Sequence, residues 1–329
     1  ISRKAPVNLS VEDEWLFSHE FRKEIPAVSI ALLRNVIATP DGLLFRGHRL
    51  LKDSFAFPEN FRGWKRRSVL KAYVSNLLLR KTKVVEGPAV WVTDDWSTGY
   101  FHWISDVLPR LWICRDRLGS STLLLPHAFS QMGFVQETLA QFKIRDIYFI
   151  RSDEVCRCSE LYLPSHVAPS GDFDREVMFA IRAELLTLSG DAVRTGRIYI
   201  SRSLAPKRRV TNESEVIEIL EKYGFSVVMA ENLSFDQQVK LFSTTAFLVA
   251  NHGAGLTNML FMPPGAAVLE FRHRDDNFNN CFFNMASDLD LNYYYQLCTA
   301  DSDDDPHLAN LEVDTHKLAS NLELILGRA

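Results

Sequence analysis

The stretch Phe247-Leu-Val-Ala-Asn-His-Gly-Ala-Gly-Leu-Thr-Asn258 decides the fold. An apolar run ends at a glycine-containing turn, and a helical pattern begins at once. A buried strand feeding straight into a helix aims unbonded N–H groups and the positive end of the helix at one point, a geometry suited to a phosphate. His252 sits at that turn, and Gly253 and Gly255 allow it to be tight.

Working outward, the pattern repeats. Strands are expected at 197–201, 225–229, 246–251 and 267–271, with helices at 212–223, 234–243, 255–261 and 315–326. This describes a Rossmann-like α/β unit. A helix over 174–188, closed by Ser189 and Gly190, precedes it. The first half alternates too, with strands at 84–92, 121–125, 146–150 and 160–163 and helices at 100–118 and 131–142. Pro109 is expected to kink or break the first of these helices. Pro40-Asp41-Gly42 signals a hairpin, and residues 66–80 fit helix or strand. The boundary falls within 171–195, giving domains 1–173 and 174–329.

A chain of 329 residues, 47% hydrophobic and 24% charged, can bury two cores. No apolar run reaches the roughly 18 residues of a membrane span. The first residue is Ile1, so the native N-terminus is expected to lie upstream. A net charge of −4 argues against general nucleic-acid binding. The distribution says more. Residues 62–83 hold eight cations and no acid, and residues 194–209 hold six and no acid, whereas 301–305 is acidic. Such patches suit anionic small ligands or a membrane surface. The five cysteines are scattered, and Cys156-Arg-Cys158 lacks the second pair of a zinc site. Reduced thiols in a reducing compartment follow.

In an open α/β sheet, ligands bind beyond the carboxyl ends of the strands. The second domain brings to that edge the 251–258 turn, Arg202, the run Lys207-Arg208-Arg209 with Asn212 at a helix start, and Glu270 at a strand end. Arginines with a helix N-terminus hold a diphosphate through charge-assisted hydrogen bonds, and a carboxylate holds ribose hydroxyls. Each residue also has an ordinary structural reading: His252 as a turn histidine, the arginines as solvated loop charges, Glu270 as a partner of Arg272. In the first domain, His102 and Asp106 share a helix face at i, i+4 amid apolar neighbours. They form either a positioned base or a structural pair.

Three other chemistries are disfavoured. His252-Gly-Ala-Gly255 resembles an esterase turn, but the chain has no Gly-x-Ser-x-Gly. A dinucleotide oxidoreductase needs a Gly-x-Gly-x-x-Gly after a strand, which is missing. Asp-x-Asp occurs at 172–174, 288–290 and 301–303, and all three read as loop or helix-cap acids, not metal ligands.

Five motifs in this order resemble glycosyltransferase family 61: Phe101-His-Trp-Ile-Ser-Asp-Val-Leu-Pro-Arg110, Arg197-Ile-Tyr-Ile-Ser-Arg202, Arg209-Val-Thr-Asn-Glu213, Leu233-Ser-Phe-Asp-Gln-Gln238 and Asn251-His-Gly-Ala-Gly-Leu-Thr-Asn258. The resemblance spans roughly residues 90–275. It implies a GT-B fold of two Rossmann-like domains facing a cleft, and an inverting glycosyltransferase with no cofactor and no essential metal. The donor would be a nucleotide sugar, UDP-linked, and the acceptor a glycan. Asp106 would be the base, with His102 orienting it or contacting the sugar or phosphate. Arg202, Arg208 or Arg209, Asn212 and the amides of Gly253, Ala254, Gly255, Leu256 and Thr257 would hold the donor. His252 and Asn258 would shape the turn, and Glu270 would bind ribose. The compact length and lack of a disulfide pattern suggest a bacterial cytoplasmic enzyme of capsule or lipopolysaccharide synthesis, touching the inner membrane face through 62–83. A eukaryotic member would sit in the Golgi lumen. The alternative is a non-catalytic nucleotide-sugar-binding or scaffold protein of the same fold.

Overall fold

A computed structural model describes residues 1–186, 195–302 and 308–327. The expected helix end at Ser189-Gly190, Arg194 of the second basic run and the acids Asp303, Asp304 and Asp305 lie outside these residues. The chain divides into one unit of residues 26–170 and another of residues 1–25 with 171–329. The break after Ser170 falls within three residues of the expected boundary at 173. Residues 1–25, which the sequence grouped with the first domain, instead pack in the second unit. Arg3 gives the reason. Its buried guanidinium pairs with Asp172 and Asp288, each at 2.9 Å, and with Glu20 at 3.3 Å. A buried charge needs such partners, and this unit supplies them all.

Unit 26–170 is built on a seven-stranded sheet: β1 (Ile30–Ala38), β2 (Leu44–Arg46), β3 (Arg49–Leu50), β4 (Lys81–Val90), β5 (Thr122–Pro126), β6 (Asp146–Ile150) and β7 (Glu154–Pro164), in the order β3-β2-β1-β7-β4-β5-β6. The expected parallel sheet is its β7-β4-β5-β6 half. The hairpin at Asp41-Gly42, where Gly42 takes φ 84°, joins β1 to β2 and adds an antiparallel half. Residues Arg66–Leu79 are a helix. Its inner face, Val69, Ala72, Tyr73 and Leu77, packs on Ile37, Phe45, Leu50, Phe55 and Val155. Strand β4 pairs with β5 on one side and β7 on the other, so a topological switch point opens at the carboxyl ends of β4 and β7.

The second unit carries β8 (Gly196–Ile200), β9 (Ser226–Val228), β10 (Thr245–Asn251), β11 (Ala267–His273), β12 (Asn292–Ala300) and β13 (Leu311–Glu312), in the order β13-β12-β11-β10-β8-β9. Strands β8 to β12 are all parallel and β13 is antiparallel. Numbered from β8, this is the doubly wound order 2-1-3-4-5, and its switch point lies between β8 and β10. Strands β10 and β11 are buried along most of their length, as a parallel sheet covered on both faces requires. Strand β12 and the helix Cys281–Asp288 fall in a stretch the sequence left unassigned. The helix is buried at nearly every residue, so it lacks the polar face that makes a helical period visible. Among the described residues, no helix is long and apolar enough to cross a membrane.

Candidate functional site

The switch point of the second unit is where the opening stretch lies. Strand β8 ends at Ile200 and is followed by Arg202; β10 ends at Asn251 and is followed by His252 and Gly253. A 3-10 helix, Ala254–Phe261, starts there. Gly253 is extended, so a left-handed backbone does not explain its glycine. Space does: a Cβ at 253 would stand 2.8 Å from Arg202 Cζ. At Gly255 a Cβ would meet Ile200 Cγ2 at 3.1 Å, so this glycine lets the helix close onto β8. Asn258 fixes the turn by donating to Gln238 Oε1 at 2.8 Å and to the Gly255 carbonyl at 3.1 Å.

Two guanidiniums converge on this turn. Arg202 donates through Nε to the Arg208 carbonyl at 3.0 Å and through Nη2 to the Lys207 carbonyl at 3.2 Å. Arg208 takes the left-handed conformation, φ 56°, and its carbonyl also accepts from Asn251 Nδ2 at 2.9 Å. Its backbone is thus pinned, while its buried Nε has no hydrogen-bond partner among the described residues. Among the described residues neither guanidinium forms an ion pair. Burial, and then the charge of Arg208, pull Arg202 down to about 10. Burial likewise pulls Arg208 down. Two adjacent, part-buried cations that burial disfavours and that form no ion pair among the described residues make a setting that favours an anion. Of Arg208 and Arg209, it is Arg208 that stands beside Asn251 and His252 of the turn. Arg209 is exposed and donates its Nε to the Ala205 carbonyl at 2.6 Å, away from the turn.

His252 is held from both sides. Asn279 Nδ2 donates to its Nε2 at 2.9 Å, which leaves the proton on Nδ1, donated to the Glu270 carboxylate. Burial keeps the ring below its ordinary pKa, so it is neutral at pH 7. Glu270 is fully buried, and its other oxygen accepts from Tyr293 at 2.5 Å with Arg272 3.8 Å away. Burial would raise this carboxyl, but His252 and Arg272 outweigh it and hold it low. Glu270, the expected ribose contact, has no exposed edge, and its oxygens are engaged by His252 and Tyr293. Asn212 is engaged as well. Its side chain donates to the Val313 carbonyl at 2.9 Å and accepts from the Val313 amide at 3.0 Å, clamping residue 313 instead of facing the turn.

In unit 26–170 the helix does not break at Pro109, which the sequence offered as a kink or break. A π-helical turn, Trp103–Val107, comes just before it, and the helix runs on to Ile113. Such a turn shifts the hydrogen-bond ladder by one residue and often marks a working site. It buries Asp106, whose Oδ2 accepts from His102 Nδ1 at 2.7 Å and from Ser170 at 2.9 Å. The carboxylate is 3% exposed and the imidazole 15%. Nε2 of His102 has no partner among the described residues. The exposed indole of Trp96 stands edge-on to the ring, centroids 4.9 Å apart.

A second cluster adjoins this one. Asp94, just past β4, pairs with Arg110 at 3.2 Å and with His166, just past β7, at 3.0 Å. It also accepts from the Trp96 amide at 3.1 Å. Burial would raise the Asp94 carboxyl, but His166 and Arg110 pull it down to about 2. The sequence reading missed Asp94, Trp96, His166 and Ser170. The switch point between β4 and β7 was their only signal, and it needs the strand order to be seen.

The described Asp-x-Asp acids are engaged elsewhere. Asp172 and Asp288 pair with Arg3, Asp290 pairs with Arg175, Asp174 caps the helix Arg175–Leu185, and Asp301 accepts from Asn310 at 2.7 Å.

Segments of the chain are similar to animal N-acetylglucosaminyltransferases. The EGF domain-specific O-linked N-acetylglucosamine transferase of Drosophila melanogaster is 37% identical over 91 residues, 27% of this chain and 17% of that protein. The protein of the same name from Rattus norvegicus is 29% identical over 108 residues, 31% of this chain and 20% of that protein. The protein O-linked-mannose beta-1,4-N-acetylglucosaminyltransferase 2 of Xenopus laevis is 34% identical over 88 residues, 26% of this chain and 15% of that protein. The matches thus span a fifth or less of these relatives. Residues 100–269, just over half of the 329, match the family Glycosyltransferase 61. That range opens at the His102–Asp106 turn, takes in both guanidiniums and the whole of the 251–258 turn, and stops one residue short of Glu270; the chain belongs to glycosyltransferase family 61.

Proposed function

We propose that this protein transfers a sugar from a nucleotide sugar to a glycan acceptor with inversion at the anomeric carbon, in the GT-B manner, without an essential metal. The observation that carries this reading is the pair of part-buried guanidiniums, Arg202 and Arg208, neither in an ion pair among the described residues, at the β8/β10 switch point of a family 61 chain. They and the first-turn amides of the 254–261 helix would stabilise charge on the departing diphosphate, the work a divalent cation does in other transferases. Unit 26–170 would supply the proton acceptor. His102 Nε2 takes the proton of the attacking hydroxyl, and Asp106, being almost wholly buried, orients the ring through Nδ1 and stabilises the imidazolium. The Trp96 indole, 45% exposed, offers an apolar face to an acceptor sugar.

The names of the matched relatives make UDP-N-acetylglucosamine the first donor to test. Five free cysteines support a reducing compartment, in keeping with an acceptor that is a surface polysaccharide. A thermal-shift screen of nucleotides and nucleotide sugars, with and without chelator, tests the reading. Stabilisation by UDP or a UDP-sugar that survives chelation is expected. Strict dependence on a divalent cation, or indifference to every nucleotide diphosphate, would overturn it.

A further inference from the structure

We infer that the helix Arg66–Leu79 docks on an anionic membrane surface. Its inner face is already occupied by the core. Its outer face carries Leu70, Val74 and Leu78 at i, i+4 and i+8, in one stripe, exposed by 53%, 41% and 78%. Single exposed aliphatics are ordinary; three in line on one helix form a contact patch.

Charge identifies the occupant. Arg67 and Lys71 lie along the stripe, and Lys65 and Arg66 open the helix; all four are exposed, and none is ion-paired among the described residues. The other cations of the run are engaged: Arg62 with Glu59, Arg80 with Asp41, Lys81 with Asp153, and Lys83 over the Tyr148 ring. The uncompensated charge of residues 62–83 is thus concentrated on this helix. Its first turn holds no acid, so these cations sit against the positive end of the helix dipole, a placement that costs stability until an anion meets it. A second copy of the chain would bring the same cations face to face, so charge opposes self-association here. An anionic bilayer meets both demands. The aliphatic stripe enters the acyl boundary, while the stems of Arg67 and Lys71 lie along it with their heads among the lipid phosphates.

The test is co-sedimentation of the whole chain with phosphatidylcholine vesicles, with and without phosphatidylserine. Binding is expected only with phosphatidylserine, and release at high salt. Arg67→Ser with Lys71→Ser should weaken it about 25-fold, roughly five-fold per charge. Leu70→Ser with Val74→Ser and Leu78→Ser should weaken it at least about 10-fold. Because these side chains are exposed, the melting temperature of each variant should be unchanged, which separates loss of docking from loss of fold. Equal binding to both vesicle types, no binding to either, or undiminished binding by both variants would overturn the inference. So would a lipid-free dimer that the aliphatic substitutions dissolve.

Discussion

The Arg202 guanidinium occupies the space that a side chain at Gly253 would need, its Cζ 2.8 Å from where a Cβ would stand. Glycine at 253 is thus a statement about position 202. Gly253→Ala should push the guanidinium aside, at little cost to stability because the end of a long side chain can move. UDP affinity should fall about 10- to 100-fold, since a charge-assisted contact is worth roughly 1.5–3 kcal/mol. Gly255→Ala is the contrast, because there the clash is with the packed Ile200 side chain. It should cost about 1–3 kcal/mol of stability. Calorimetric titration and melting of both variants check the distinction.

The shared burial of Arg202 and Arg208 gives a second expectation. Burial pulls both down further than the acids around them, Glu231 for Arg202 and Asp276 and Glu270 for Arg208, raise them, and neither forms an ion pair among the described residues. Arg208→Gln should leave the ligand-free protein as stable as before, or slightly more so, because it removes a charge whose burial outweighs the acids around it. The same change should abolish most of the UDP-induced thermal shift. In the unsubstituted protein that shift corresponds to about 2.7 kcal/mol at a hundred times Kd. A variant that melts lower but keeps the full shift would contradict the anion-site reading.

How much of this was legible in the sequence depends on distance along the chain. The β10 run, the glycine turn and the His102–Asp106 spacing are local patterns, and the strand and helix periods expose them. The role of Glu270 was not legible, because a carboxylate at a strand end looks the same whether it faces a ligand or a histidine beneath the turn. The partners of Asn212 were not legible either. It stands at a helix start, where a phosphate contact is plausible, but its amide is taken by Val313, about a hundred residues away. Asp94 and His166 belong to strands that are neighbours only through the order β7-β4, which no period reports. Residues 1–25 followed the same rule, since the acids that neutralise Arg3 include Asp172 and Asp288.

Asp94 sets an acid limit on unit 26–170. Its side chain is 2% exposed, and its pKa of about 2 lies below the value of about 3.9 expected for an unfolded chain. A depressed carboxyl stabilises the fold above its unfolded pKa, and the contribution is lost as pH falls through its folded one. Some 2–3 kcal/mol should therefore disappear between about pH 4 and pH 2. Asp94→Asn should destabilise the protein at pH 7 by about 3–5 kcal/mol, because Arg110 is left buried and unpaired. The gap between the two proteins should narrow over that same acid window. Urea melts at pH 7, 4 and 2.5 measure it, and a gap constant with pH would show that Asp94 is not the titrating group.

The pairing of His102 with Asp106 separates an enzyme from a binding module. If His102 takes the proton, His102→Gln should lower kcat about 10²- to 10⁴-fold while leaving the UDP-induced thermal shift intact. Asp106→Asn keeps the shape but removes the charge that fixes the Nδ1 proton, so it should lower kcat as well, with less effect on acceptor KM than Trp96→Ala. The double variant should be hardly worse than His102→Gln alone, because residues that act as a unit are not additive. Full additivity would mean that the two side chains act separately. Undiminished transfer by His102→Gln would return the base to Asp106, and undiminished transfer by both single variants would remove the pair from the chemistry.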